Sequence, residues 1–463
     1  MMAPGLYAAT ALLAAAPAAQ AQAAEPAPRI PDNRPTQPEL YAAFPTRPDS
    51  GVAAGFYLAY GSTLASVELE QGARMASFAL TPPTERRADP RAGIGSTGSP
   101  WTALLVGLLL AAVALLAAAV MPSAARAAVP DGFVGITTED AYTGNDAYAQ
   151  AQLKAQRAAG FTVARQVFRW NEIEWADQNY DFSATDRFVK NASIAGMRVM
   201  PLIQGEPEWA TSRPKKSKYR GFFPPKDNAH IARFGATLAK RYGPGGEFWI
   251  ANPTLTPMPF TAYQVWNEPN FPLYWGGKPN GAAYARMLIA TSAAIRAVQP
   301  SAYIVTAGIP DSSLGQSPKK FIKAMLKAKA GPWIDAIGIH PYAVNVKSVM
   351  KLTRDLRKTV NRAGGSKLDL WVTEIGWAAG GPKTPKRTVS ASRQGPIITS
   401  AFRALAKERK RLKLRGVIYF AWRDSTVYKG GKDFWGLHTG LLNRKGKPKP
   451  AMKVVRKALV KLK

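Results

Sequence analysis

From residue 133 onward, short unbroken apolar runs alternate with stretches of helical period. The runs at 133–138, 162–168, 198–203, 262–266, 303–307, 336–339, 368–373 and 416–421 are mostly rich in Val, Ile and other large apolar residues. Runs of this length without polar alternation predict parallel strands covered on both faces. Between them the apolar positions follow a period near 3.6. After Asn280, residues Tyr284, Met287, Leu288, Thr291, Ile295 and Val298 share one helix face. In the last segment Met452, Val455, Leu459 and Leu462 stand against Lys453, Arg456, Lys457 and Lys461. Eight strands alternating with eight helices predict an α/β fold, a single (β/α)8 barrel over 131–463. A doubly wound open sheet shares this pattern, but no Gly-rich phosphate loop opens any of the helices.

The first 130 residues read differently. Residues 1–100 are rich in Ala, Pro and Gly, show no sustained period, and carry prolines every few positions over 26–48. Such a stretch is expected to be disordered, or to reflect an over-extended gene start. Residues 102–121 form an apolar run of twenty, long enough to span a bilayer. Small residues follow, and Ala125-Arg126-Ala127 fits a signal-peptidase site. Segment 101–128 is thus either a signal peptide, the preferred reading, or an uncleaved anchor. Either way 131–463 is expected outside the membrane, secreted or anchored.

Composition narrows the chemistry. The chain has no cysteine, which excludes disulfides, a thiol nucleophile and thiolate metal sites. Its three histidines, His230, His340 and His438, are too scattered for a metal cluster, and no metal or cofactor is expected. The net charge of +32 lies wholly in 131–463, because the eight basic and eight acidic residues before it cancel. Such a field favours polyanionic partners, an acidic polysaccharide or an anionic cell envelope. The basic residues sit on outer helix faces without interleaved aromatics, so specific nucleic-acid binding is not expected.

Two glutamates stand out against this frame. Glu268 lies in Tyr263-Gln-Val-Trp-Asn-Glu-Pro-Asn270, just past the fourth strand; Glu374 lies in Leu370-Trp-Val-Thr-Glu-Ile-Gly-Trp377, at the end of the seventh. In a barrel, function gathers at the C-terminal strand ends, and strands four and seven lie on opposite sides of the mouth. Two carboxyls converging there on a sugar-sized hollow are what glycoside hydrolysis requires. A solvated surface charge is the usual state of a glutamate, but each of these abuts an apolar strand and is flanked by Trp, Asn or Thr.

These motifs, in this strand order, resemble the clan A glycoside hydrolases, closest to families 5 and 39, from about Pro130 to the C-terminus. The resemblance implies a retaining barrel enzyme with Glu268 as acid/base and Glu374 as nucleophile. It implies that Asn267 bonds the sugar 2-hydroxyl and that Arg165 holds the nucleophile ionised, with Arg169 as competing candidate. His340 and Tyr342, in Ile337-Gly-Ile-His-Pro-Tyr342, resemble the residues lining the nucleophile, and Trp422 resembles the tryptophan floor of the sugar site. The implied reaction cleaves β-linked carbohydrate through a covalent glycosyl-enzyme, by a monomer. Loop aromatics Trp170, Trp175, Trp209, Phe271, Tyr274 and Trp275 are further candidate sugar contacts, and segment 243–259 is expected to wall one side of the cleft. The rival reading is a barrel that binds polyanions or the cell envelope without catalysis.

Overall fold

A computed structural model describes residues 128–217, 221–311, 313–382, 387–427 and 432–462. The expected disordered extension and nearly all of the signal or anchor segment lie outside these residues. Among the described residues no helix is long and apolar enough to cross a membrane.

All eight expected strands form: β1 Val134–Thr137, β2 Val163–Arg169, β3 Arg198–Gln204, β4 Ala262–Val265, β5 Tyr303–Thr306, β6 Ala336–His340, β7 Asp369–Ile375 and β8 Leu414–Tyr419. Each pairs in parallel with its sequence neighbours, and β1 pairs with β8, which closes the barrel. Eight helices return between the strands: α1 Asp146–Ala159, α2 Ser183–Ile194, α3 Asn228–Tyr242, α4 Gly281–Val298, α5 Pro318–Lys327, α6 Val346–Arg362, α7 Ala391–Leu412 and α8 Pro450–Val460.

Local chemistry fixes where these helices start. Asn145, Asp227, Asn280, Ser317 and Asn345 each accept a backbone N–H of the first turn of α1, α3, α4, α5 and α6. Such caps are worth about 1 kcal/mol apiece. The main core packs helices onto the outside of the barrel. A second, smaller cluster fills its inside: Val163, Met200, Val305, Ala336, Trp371 and Ile418, drawn from six strands. Truncating Ile418 to Ala there is expected to cost about 2–5 kcal/mol through the void it leaves. Above this apolar plug the inward positions turn polar, starting with Arg165, Gln264 and Thr373, all buried.

One expectation about the frame fails. Segment 243–259 connects α3 to β4, so it lies at the end of the barrel opposite the strand C-termini. Trp249 Nε1–H donates to Tyr242 O at 3.0 Å, Phe260 N–H to the same carbonyl at 2.9 Å, and Ser193 Oγ–H to Thr256 O at 2.6 Å. The segment closes the base of the barrel and walls no cleft.

Candidate active site

β4 ends in an unusual turn. Trp266 and Glu268 both have left-handed backbones, with φ of 70° and 46°. Side chains seldom take such backbones, at a cost of about 1–3 kcal/mol each, unless their surroundings hold them. Here Trp266 N–H bonds Ile203 O (2.9 Å), its indole N–H bonds Tyr274 O (2.7 Å), and Glu268 N–H bonds Gly308 O (3.1 Å). The strained turn aims Asn267 and Glu268 into the barrel mouth. Glu374 comes from β7, which carries a register irregularity between Val372 and Ile375.

The two glutamates face each other. Carboxylate oxygens of Glu268 and Glu374 and a ring nitrogen of His340 all lie within 4.8 Å of one another. The guanidinium of Arg165, 1% exposed, ties the group together. It donates through Nε to Gln264 Oε1 (2.7 Å), through one terminal nitrogen to Glu374 Oε1 (2.9 Å), and through the other to Asn267 Oδ1 (3.0 Å). Tyr342 O–H donates to the other Glu374 oxygen at 2.8 Å. Burial pushes the Tyr342 phenol far above its ordinary pKa, and the charges of Glu374 and Glu268 push it further, so it stays protonated. One guanidinium N–H on one oxygen and a hydroxyl donor on the other favour the ionised form of Glu374.

His340 stands between the glutamates. Its Nδ1 is 2.7 Å from Glu268 Oε1 and 3.6 Å from Glu374 Oε2, and its Nε2 is 3.0 Å from Thr373 Oγ1. Thr373 Oγ1 also accepts Gln264 Nε2–H at 3.2 Å. The arrangement that gives the threonine hydroxyl hydrogen an acceptor among these partners sends it to Nε2 and leaves the imidazole proton on Nδ1, toward Glu268. With that proton in place Nδ1 has no lone pair for a metal ion, although Glu268, His340 and Glu374 are spaced closely enough to ligate one. Asn267 keeps one donor spare: its Nδ2 is buried and has no hydrogen-bond partner among the described residues.

Other expected residues fall elsewhere. Arg169, at the rim, pairs with Glu172 (3.3 Å) and Glu139 (3.7 Å), so Arg165 is the arginine on Glu374. Trp422 lies three residues past the end of β8. Its indole N–H bonds Gln152 Oε1 of α1 at 2.9 Å, and the ring belongs to the core between barrel and helices, not to the glutamate cluster. Phe420, two positions beyond the inward-facing Ile418, is buried yet belongs to neither apolar cluster. Among the loop aromatics, Trp170, Phe271, Tyr274 and Trp275 are buried in packing, and Trp209 is partly covered. Trp175, on the ribbon of Glu174–Ala176 with Asn179–Tyr180, is 50% exposed.

Three residues of the mouth escaped the sequence reading. Trp435 sets its ring edge-on to Tyr342, centroids 5.2 Å apart, and the Arg387 guanidinium lies 5.4 Å from the Trp435 ring and 5.7 Å from the Tyr342 ring. Glu139 follows β1; burial raises its pKa above the ordinary value, opposed by Arg169 and Arg165 and reinforced by Glu374 and Glu172. Neither Glu268 nor Glu374 has any solvent exposure. The open, sugar-sized hollow expected between them is therefore covered in this state. A cavity at the same end of the barrel is lined by Val167, Arg169, Gln204, Gly205 and Phe222.

A closed parallel barrel of this kind is a fold shared with solved glycoside hydrolases. Similar structures include a family 39 glycoside hydrolase from the gut symbiont Bacteroides cellulosilyticus WH2, at 19% identity and TM-score 0.51, covering 70% of this chain and 63% of that one. A monomeric β-xylosidase from Caulobacter crescentus CB15 is similar at 20% identity and TM-score 0.53, covering 71% of this chain and 68% of that one. A family 39 enzyme from Xanthomonas axonopodis pv. citri is similar at 18% identity and TM-score 0.52, covering 72% and 67%. At such identities the likeness is one of fold, and the chain spans less than two thirds of the first structure. No protein-family model and no curated protein matches the chain.

Proposed function

We propose that this chain is a clan A glycoside hydrolase that cleaves β-linked glycosides with retention of configuration. The observation that carries the reading is the approach of Glu268 and Glu374 to within 4.8 Å, on the ends of β4 and β7, with unequal surroundings. Retaining glycosidases hold their two carboxyls ~5–5.5 Å apart, whereas inverting ones leave room for a water between. Glu374, held ionised by Arg165 and Tyr342, attacks the anomeric carbon. Glu268 protonates the departing oxygen, then takes a proton from the water that releases the glycosyl-enzyme. His340 orients Glu268, and the spare N–H of Asn267 is available to the sugar 2-hydroxyl. Phe420, rather than Trp422, is the aromatic positioned to floor the sugar. Entry of substrate requires the Tyr342–Trp435–Arg387 stack over Glu374 to shift.

The β-xylosidase among the similar structures makes β-xylosides the first substrates to try. In this reading the protein acts as a monomer on the extracytoplasmic side, behind the apolar run at 102–121. The test is a panel of aryl β-glycosides and β-linked polysaccharides with Glu374→Gln as control. Loss of turnover in the variant is expected; turnover that survives it removes Glu374 as nucleophile. Azide added to Glu374→Gly is expected to restore cleavage and give a glycosyl azide of inverted configuration.

A further inference from the structure

The two ends of the barrel expose different surfaces. Strands run toward the end that holds Glu268 and Glu374, and helices run back, so helix C-termini and helix-to-strand connections crowd the far end. Nine large apolar side chains are exposed among the described residues, and five of them belong to that far end. Ile194, Val298 and Val460 end α2, α4 and α8; Ile250 precedes β4 and Trp333 precedes β6. Ile250 and Val460 are the most open, at 73% and 67%.

Cations surround them. Lys327, Lys329, Arg362, Lys367, Lys410 and Lys461 are exposed at this end, and none has a carboxylate partner among the described residues. The exposed acids here, Asp131 and Glu247, are already paired, with Arg198 at 2.9 Å and Lys240 at 3.1 Å. The negative end of a helix dipole accounts for a cation in a last turn, as at Lys327, Arg362 and Lys410. It accounts neither for Lys329 and Lys367, which lie past the helix ends, nor for the apolar residues.

The chain also enters the barrel here: Val129 N–H bonds Leu462 O at 2.9 Å, two residues past Val460. Residues 122–128 link this point to the apolar run at 102–121. Seven residues reach at most about 25 Å. We propose that this end of the barrel rests on an anionic lipid bilayer, the one that the apolar run enters as an uncleaved anchor, so that the mouth faces away from the membrane. Apolar side chains ringed by cations, presented together at one end, suit a headgroup layer, where the first insert and the second meet phosphates. A soluble polyanion would use the cations but has no use for Ile250, Trp333 or Val460.

Hydrogen–deuterium exchange on the full chain tests this, in bilayers of phosphatidylglycerol mixed with phosphatidylcholine and in phosphatidylcholine alone. Amides at 247–255, 329–335 and 410–415 are expected to slow in the anionic bilayer only. Lys410→Glu with Lys461→Glu is expected to weaken this protection by roughly fivefold per charge removed. Ile250→Asp with Trp333→Ser is expected to abolish it, while unchanged exchange in the barrel strands reports that these variants still fold. Absence of protection, or protection at the strand C-terminal end instead, overturns the proposal. So does equal protection by soluble heparin that survives Ile250→Asp with Trp333→Ser, which would make the face a polyanion site.

Discussion

Gly308 is the position where a single methyl group tests the whole catalytic cluster. It follows β5, its carbonyl accepts Glu268 N–H at 3.1 Å, and a Cβ built there falls 1.8 Å from His340 Nε2 and 2.3 Å from Cδ2. Its backbone is not left-handed, so Gly308→Ala costs little conformationally, and the penalty is steric. The ring must retreat by about 1.6 Å to reach ordinary contact. A shift of that size breaks the 2.7 Å bond to Glu268 or the 3.0 Å bond to Thr373. Each buried polar group left without its partner costs about 1–3 kcal/mol, so a stability loss of about 2–4 kcal/mol is expected. A displacement of 1 Å in the support of a catalytic group costs roughly 100-fold in rate, so kcat/KM on an active aryl β-glycoside is expected to fall by about that or more. Thermal unfolding and initial rates measure the two effects. The double variant Gly308→Ala/His340→Ala separates them: once the ring is gone, the added methyl should no longer destabilise the fold. Near wild-type rate and melting temperature in Gly308→Ala would refute the placement of His340 between the two glutamates.

Four further outcomes follow from the same geometry. Tyr342→Phe removes the donor on Glu374 Oε2, and kcat is expected to drop by about 10–100-fold with the fold intact, a loss near 1.5–3 kcal/mol; an unchanged kcat excludes the contact from the reaction. Arg165→Met leaves the Glu374 charge buried without its guanidinium, and denaturant unfolding should show a loss of about 3–5 kcal/mol. Trp422→Phe should leave glycosidase rates within about threefold while Phe420→Ala lowers kcat/KM by at least about tenfold, since a ring exposed to the sugar stacks on it and a core ring does not; the reverse ranking would restore Trp422 to the sugar site. Glu139 has a raised pKa in the fold, so its contribution is fully present below its unfolded value near 4.5 and is lost as pH rises through the folded value. Glu139→Gln is therefore expected to flatten the fall in melting temperature above pH 4.5, and parallel profiles for the two proteins would count against the burial of that carboxyl.

The barrel was legible because its strands are covered on both faces, which leaves continuous apolar runs with clear edges. The edges drifted where the runs did: 416–421 is read two residues late against Leu414–Tyr419, because Leu414 and Arg415 do not look like one run. Glu268 and Glu374 were legible from their place at or just past the C-terminal end of a strand. Glu139 sits in the same relation to β1, so the same rule applied to every strand would have found it. The bond of the Trp422 indole to Gln152 on α1 could not be read from the sequence, since β8 ends three residues earlier, at Tyr419. Loop aromatics such as Trp170 and Trp275 carry no sign of burial in their identity, since a packing ring and a sugar-stacking ring are the same residue. Segment 243–259 was assigned to the wrong end of the barrel although its position, before a strand rather than after one, already gave the answer.

One planar guanidinium, Arg165, touches both the β7 glutamate and the β4 asparagine beside its counterpart. That spacing is therefore a joint property of β2, β7 and the turn that ends β4. Anyone wishing to retarget such a molecule should leave the segment after β4 in place, because its Tyr274 carbonyl holds the turn that carries one of the reacting pair.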